Sequence, residues 1–280
     1  MTESKFSQSE AVATFRALHE SGCFVLPNPW DVGAAIYLQH LGFKALAITS
    51  AGFAFSRGMP DGEVPRDEML AHIREIANAV AVPVNADFLS GFAEDAEGVA
   101  ANVARCIATG VAGLSIEDST SNDESPLFAP GPATARVQAA RAAIDASGVP
   151  VVLTGRCEAF LVRQPDPLRL VLDRLVAYAE AGADCLYAPG VSQPEEIATI
   201  VRAVAPKPVN VLVSGFNSHF TLSQLADLGV RRVSVGSGMA LAAWGAFLRA
   251  ARGIVSTGTF DGLAGGAAFA ELNTLFARRA

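Results

Sequence analysis

Eight short runs of β-branched and small apolar residues recur along this 280-residue chain, each followed by a longer Ala-, Leu- and Arg-rich stretch. The runs are Cys23–Leu26, Ala45–Thr49, Val82–Asp87, Ala112–Glu117, Val151–Arg156, Asp184–Ala188, Val209–Val213 and Arg232–Gly236. Between them lie stretches of helical length, among them Arg66–Val80, Ala96–Thr109, Ala133–Ser147 and Pro167–Ala181. Alternation sustained this far predicts parallel βαβ units. Parallel strands are covered by helices, so they read as continuous apolar runs rather than alternating ones, as these do. An open doubly wound sheet is the rival arrangement. Eight regular repeats over about 240 residues fit a closed (β/α)8 barrel of the TIM type better.

The punctuation agrees. Ser7 with Glu10 predicts a capping box and an extra N-terminal helix ahead of the first strand. Pro65, Pro132 and Pro167 suit the first turns of helices. Gly42, Gly110, Gly148, Gly182 and Gly229 each stand just before a strand, where a helix end calls for glycine. A Gly- and Thr-rich stretch, Gly253–Gly266, leads to an amphipathic segment, Phe269–Arg279. The expected organisation is one domain: residues 1–21 as the N-terminal helix, 22–252 as the barrel and 253–280 as a C-terminal tail helix.

Composition excludes several classes. The chain is 51% hydrophobic and 18% charged, with mean hydropathy +0.33, the reverse of a disordered chain. Its net charge of −7 and lack of a basic run argue against nucleic-acid binding. High hydropathy raises the question of a membrane span. The longest candidate, Ala240–Leu248, ends at Arg249, well short of the ~18–20 residues a spanning helix needs. No signal peptide is expected, because Met1–Lys5 is polar and no apolar core follows. Cys23, Cys106, Cys157 and Cys185 are scattered and form no CxxC, which fits reduced thiols and a cytoplasmic location.

In a barrel of this kind chemistry sits at the C-terminal ends of the strands. Asn85 and Asp87, two apart on the third strand, face the same side. Glu117 closes the fourth strand, and Asp61 lies on the loop after the second. Alone, each carboxylate could cap a helix or pair with an arginine. Together at adjacent strand ends they would repel without a cation, and hard oxygen donors suit Mg²⁺ or Mn²⁺. Arg156, ending the fifth strand, is placed either to clamp a substrate carboxylate or to pair with Glu117 or Glu158. Ser50-Ala51-Gly52 offers a hydroxyl and close backbone N–H groups for a second substrate contact, or is simply a turn. Tyr187 ends the sixth strand. His219, after the seventh, is the one histidine near the mouth, whereas His19, His40 and His72 fall on helical segments. Only Lys5, Lys44 and Lys207 are lysines, and the last two precede strands at the opposite face. A Schiff-base mechanism, which needs a lysine in the mouth, is therefore disfavoured.

At these residues the chain resembles the isocitrate lyase/phosphoenolpyruvate mutase superfamily, from about Phe15 to Ala251. The resemblance is carried by Leu26-Pro-Asn-Pro-Trp-Asp-Val-Gly-Ala, Thr49-Ser-Ala-Gly-Phe with Pro60-Asp-Gly, Asn85-Ala-Asp87, Ser115-Ile-Glu-Asp118, Gly155-Arg-Cys-Glu and Leu186-Tyr-Ala-Pro-Gly. It implies a barrel whose last helix swaps between partners in a homodimer or homotetramer, a divalent metal, and a small 2-oxo or 2-hydroxy carboxylate substrate. By the family's pattern Asp87, Asp61 and Glu117 hold the metal directly or through water, and Ser50, Gly52 and Arg156 bind the substrate. Two departures stand out. The family's Asp-x-Asp is here Asn85-x-Asp87. The loop after the fourth strand, Ser119–Phe128, lacks the Cys of the isocitrate-type lyases and the Lys of the phosphonomutases, leaving Asn122 as a polar group that could reach substrate. The leading expectation is a Mg²⁺-dependent lyase that cleaves C–C bonds or decarboxylates through an enolate, with Arg156 and Asp61 in the chemistry and a solvent proton, His219 or Tyr187 finishing it. The alternatives are C–P chemistry on phosphonopyruvate-like compounds and a non-catalytic keto-acid binder.

Overall fold

The computed structural model describes residues 7–120 and 122–277. The polar start Met1–Lys5, Ser121 of the fourth loop and the last residues of the tail lie outside them. In chain order the elements are α1 Gln8–Leu18, β1 Phe24–Leu26, α2 Val32–His40, β2 Leu46–Ala47, α3 Ser50–Ser56, α4 Arg66–Ala79, β3 Val84–Asp87, α5 Ala96–Ile107, β4 Gly113–Glu117, α6 Pro130–Ser147, β5 Val152–Arg156, α7 Pro167–Glu180, β6 Cys185–Tyr187, α8 Pro194–Val204, β7 Val209–Leu212, α9 Leu222–Asp227, β8 Arg232–Ser234, α10 Gly238–Thr257 and α11 Phe269–Ala277. A single 3₁₀ turn, Asp261–Leu263, precedes α11.

The eight strands form one parallel sheet in the order β1-β8-β7-β6-β5-β4-β3-β2. It is the expected (β/α)8 barrel. The seam between β1 and β2 is closed just beyond β1, where the Ala47 N–H donates to the Pro27 carbonyl at 3.0 Å and the Thr49 N–H to Pro29 at 3.4 Å. Both prolines lack an N–H, so β1 cannot return a ladder bond there. Each strand lies inside its expected run, and the residues trimmed from the ends begin the loops that carry the polar side chains.

The core is continuous through the barrel wall, with Leu26, Ile48, Phe88, Leu114 and Leu153 essentially inaccessible. α1, started by the expected Ser7–Glu10 capping box, closes the N-terminal end. Its Phe15 is fully buried and sits edge-on to His19 and Phe24. Pro167 opens α7 as expected, while α6 opens at Pro130, ahead of Pro132. α10 runs through residue 252 to Thr257, so the expected barrel–tail boundary falls inside a helix. No described helix is long and apolar enough to cross a membrane.

Candidate active site at the strand ends

A cavity of about 160 Å³ opens at the C-terminal ends of the strands and runs down into the barrel. Its upper wall carries Ser50, Ala51, Asp61, Asp87, Arg156 and Tyr187. With Asn85 lower in the same cavity, seven of the residues expected at the site are brought to one place, on β3 and at the ends of β2, β5 and β6 and on the loop after α3.

Arg156 organises this wall. It is largely buried, and its Nη1 lies 3.3 Å from Asp87 Oδ1 and 3.2 Å from Glu117 Oε2, while its Nε donates to Glu158 Oε1. Arg156 is therefore ion-paired, as one of its two readings expected, and it also lines the cavity, with Nη2 outside those three pairs. Burial works against its charge, but Glu158, Glu117 and Asp87 outweigh it and hold the pKa above the ordinary arginine range. The Tyr187 ring lies under the guanidinium, 5.3 Å from its centroid to the carbon. Burial pushes the Tyr187 hydroxyl up to about 12, so it stays protonated at neutral pH.

The carboxylates are crowded. Burial pushes the Glu117 pKa up, against the pull of Arg156 and with help from Glu158 and Asp87. Asp61 is exposed at the rim, yet loss of solvent on its inner side and then the Asp87 charge raise its pKa. Glu117 Oε2 and Asn85 Oδ1 are buried and accept no hydrogen bond. This is an electronegative surface with one compensating guanidinium, and a cation would relieve it. Among the described residues no three His, Cys, Asp or Glu side chains stand close enough to enclose a metal by themselves. Such an open oxygen set fits Mg²⁺ or Mn²⁺, which bind through one or two carboxylates and keep several waters, and does not fit a closed zinc-type cage. Asn85 sits one layer below Asp87, and its Oδ1 lies 2.7 Å from where a Cβ on Gly113 would stand, towards Phe15 at the floor.

The Ser50-Ala51-Gly52 segment is not a turn but the first residues of α3, capped by the Thr49 side chain. The Ser50 N–H and Oγ both donate to Asp87 Oδ2, at 3.1 and 2.7 Å. The Gly52 N–H is taken by Thr49 Oγ1 at 3.1 Å. Ser50 thus orients Asp87, and a substrate must compete for its donors. Gly52 is a packing residue: a Cβ there would meet Thr49 Cγ2 at 2.6 Å, Trp30 Cβ at 3.0 Å and Ala240 Cβ at 3.2 Å.

Gly52 and Glu117 are buried outside the cavity lining, and two further expected residues stand away from it on exposed loops. Asn122 is exposed, and its Oδ1 accepts the Glu124 N–H at 2.9 Å, so its amide oxygen is spent on its own turn. His219 is exposed on the loop after β7 and lies against Phe220, ring centroids 4.5 Å apart. Conversely, the cavity wall includes Asn28, Asn210, Arg232 and Ser234, none of which is among the expected site residues. Asn28 Oδ1 accepts the N–H groups of Val235 and Gly236, both at 2.9 Å, and so ties β1 to the turn after β8. Its place at the end of the first run was a usable signal. Arg232 opens the eighth run, at the end of the strand opposite the mouth, and only its length brings it to the cavity.

Behind this wall Asp118, 2% exposed, accepts the Glu158 N–H at 2.8 Å, Arg174 Nη1 at 2.9 Å and the Tyr178 hydroxyl at 2.7 Å. This buried network fixes the turn from which Glu158 reaches Arg156.

With this geometry in view, the likeness to known proteins is specific. The profile of the phosphoenolpyruvate phosphomutase family matches residues 15–255. The crystal structure of a Burkholderia cenocepacia protein described as a lyase or mutase is 44% identical, with a TM-score of 0.93 over 96% of this chain and 97% of that one. A 2-methylisocitrate lyase of Salmonella typhimurium is 30% identical over 216 residues, 72% of each chain. An oxaloacetate acetylhydrolase structure is 26% identical, with a TM-score of 0.83 over 97% of this chain and 95% of that one. Barrel, strand-end motifs and relatives agree, and the chain belongs to the phosphoenolpyruvate mutase/isocitrate lyase superfamily.

Proposed function

We propose that this protein is a divalent-metal-dependent lyase of small 2-oxo or 2-hydroxy carboxylates, breaking a C–C bond by retro-aldol, decarboxylative or hydrolytic cleavage with an enolate as the departing fragment. The observation that carries the reading is the Asp87–Arg156 pair at the cavity wall, backed by the buried Glu117, where a guanidinium and the oxygens of Asp61 and Asp87 face one small space. The relatives named above, a 2-methylisocitrate lyase and an oxaloacetate acetylhydrolase, support it.

In this reading Asp87, Asp61 and Glu117 would hold Mg²⁺ or Mn²⁺ directly or through water, and Asn85 stands beneath with a neutral amide in place of a charge. When bound, the ion acts as a Lewis acid toward the negative charge that develops on the substrate oxygen. The rest falls to the chain. Arg156 Nη2 orients the substrate carboxylate, with the guanidinium held in place by three carboxylates and by Tyr187. Ser50 and the Ala51 backbone flank the same carboxylate, Ser50 by exchanging its bond to Asp87. The Tyr187 hydroxyl, protonated throughout the neutral range, donates a hydrogen bond to the developing anion. Its high pKa suits that better than release of a proton, so the enolate carbon is protonated from solvent. His219 would join this step only by movement of its loop.

The same reading makes the protein a homodimer or homotetramer that exchanges its last barrel helix, supported by the exposed apolar side chains of α10. It places the reaction in the cytoplasm, in keeping with four unpaired thiols. The deciding experiment incubates purified protein and Mg²⁺ with a panel of 2-oxo and 2-hydroxy acids and follows cleavage products. Turnover of at least one C–C substrate is expected. Phosphate release from a phosphonate arm alone would assign C–P chemistry instead. Ligand-dependent thermal stabilisation with no turnover of any compound would make the barrel a binder.

A further inference from the structure

Arg232 is 2% exposed and meets the cavity low in the barrel beside Asn210 and Ser234. A buried guanidinium normally faces a carboxylate, because an unpaired buried charge costs several kcal/mol. Arg156 and Arg174 both follow that rule, and Arg136, equally buried, instead donates to the backbone carbonyls of Glu94, Ser90 and Ala93. Arg232 does neither. Its Nε donates to Asn210 Oδ1 at 2.9 Å and its Nη2 to Thr154 Oγ1 at 3.0 Å, while its Nη1 lies 3.4 Å from His19 Nε2. All three partners are neutral. His19 Nδ1 is 2.7 Å from the Phe15 carbonyl, which can only accept, so Nδ1 carries the proton and Nε2 offers a lone pair. Burial, and then Arg232 itself, lower the His19 pKa to about 3. A guanidinium has five N–H groups. These three contacts leave two of them without an acceptor among the described residues.

The surroundings are built rather than incidental. Asn210 Nδ2 donates to Ser234 Oγ at 2.9 Å, which turns the amide oxygen toward Arg232. An apolar side chain of similar volume would satisfy packing at less cost. The charge makes physical sense if an anion arrives through the cavity. Its depth is set by Thr154, which stands two residues before Arg156 on β5 and therefore about 6.6 Å lower on the same face. A four-carbon dicarboxylate with one hydrogen bond at each end covers that separation.

We infer that Arg232, Asn210 and Ser234 form a second anion subsite on the cavity floor, which takes the far carboxylate of a 2-oxo or 2-hydroxy dicarboxylate whose reacting end lies at Asp87 and Arg156. This rests on the cavity being the substrate site, as proposed above, and adds the charge and length of the substrate. A monocarboxylate leaves Arg232 unpaired in a dry pocket, so the site discriminates against it.

Malate and lactate differ by one carboxylate, and titration calorimetry of the whole protein with Mg²⁺ compares them directly. Malate is expected to bind at least about tenfold more tightly, the lower end of what a hydrogen bond to a charged group contributes. Arg232→Gln should bring malate down to the lactate level, while Arg232→Lys keeps part of the preference. Thermal unfolding of both variants shows whether they fold, and if neither does, the wild-type comparison still decides. Equal affinities in the wild type, or binding of neither acid, overturns the subsite. So does a malate preference that survives in a folded Arg232→Gln variant. A preference that Arg232→Gln removes, in a protein that cleaves nothing, would sink the lyase reading and leave the subsite standing. Cleavage of a 2-oxo acid with equal malate and lactate affinities would do the opposite.

Discussion

Asp87 is where the site's geometry and its charge meet. One carboxylate oxygen takes both Ser50 donors, and the other faces Arg156. Its removal leaves Arg156 with two acids rather than three and frees Ser50 to turn away. Asp87→Ala should abolish stabilisation by Mg²⁺, which for a site a hundredfold above its Kd amounts to about 2.7 kcal/mol. Asn85→Asp restores a charge next to the same cavity and should tighten Mg²⁺ binding. Thermal unfolding with and without Mg²⁺ tests both, and no change in either variant would mean that the cluster holds no metal. His72 governs a different property. It is 5% exposed and stacked on Phe53 with ring centroids 3.6 Å apart, and burial lowers its pKa to about 4. The unfolded chain therefore binds more protons between pH 6.5 and 4, so stability is full above pH 6.5 and falls as the pH drops through that window. By pH 5 the loss from this one group is about 2 kcal/mol. His72→Phe keeps the stack and should flatten that slope in pH-dependent denaturant titrations. An unchanged slope would place the acid sensitivity elsewhere.

α3 shows why single elements resist reading from sequence. It is only seven residues long and contains a glycine, so neither length nor propensity announces a helix. What fixes it is the Thr49 cap, Asp87 across the gap to β3, and close packing of Gly52 under Trp30 and Ala240. All but the cap are contacts distant in sequence. The long helices and the eight strands were legible because amphipathic period, proline starts and glycine ends are local signals. The strand-end carboxylates were legible for the same reason, since the strands place them. Arg232 was not, because its guanidinium spans the barrel interior to Thr154 on β5, a contact no local pattern announces. Nor were Asn122 and His219, whose loops turn their side chains to local partners. The Gly52 packing gives a test. Alanine is favoured over glycine in a helix by about 1 kcal/mol, but here its Cβ would stand 2.6 Å from Thr49 Cγ2 and 3.0 Å from Trp30 Cβ. Overpacking of this kind costs about 1–3 kcal/mol, so the clash wins. Gly52→Ala should lower the stability of the fold and weaken substrate binding together, because Ser50 moves with the helix. A stabilised variant in urea titration would show that α3 shifts freely.

On the scale of the whole molecule, a chain of net charge −7 places two arginines, Arg156 and Arg232, in the wall of its strand-end cavity. The apolar content that raised the membrane question is spent mainly on a barrel wall covered by helices, and what remains exposed is concentrated on α10 and the tail. Phe247 is 58% exposed and Val255 88%, with Leu241 and Trp244 on the same helix. Trp244 and Phe247 meet edge to face at 5.3 Å, and the two of them border a shallow apolar pocket with Trp30, Ser56, Ala240 and Ala243. Contiguous apolar surface of this kind marks an interaction site. A second copy of the chain seated there would rest against Trp30 and Ala240, the residues that confine Gly52 and hence Ser50, so assembly and site geometry would be linked through α3. Phe247→Glu places a charge in the centre of that surface, where burial against a partner would cost several kcal/mol. Light scattering should then show the mass falling to that of a single 29.0 kDa chain, and the unfolding midpoint should lose its dependence on protein concentration. Activity should fall with dissociation and return as concentration rises in a milder variant such as Phe247→Ala. A wild-type protein that already runs as a single chain would remove α10 as the contact and leave its apolar face to another partner.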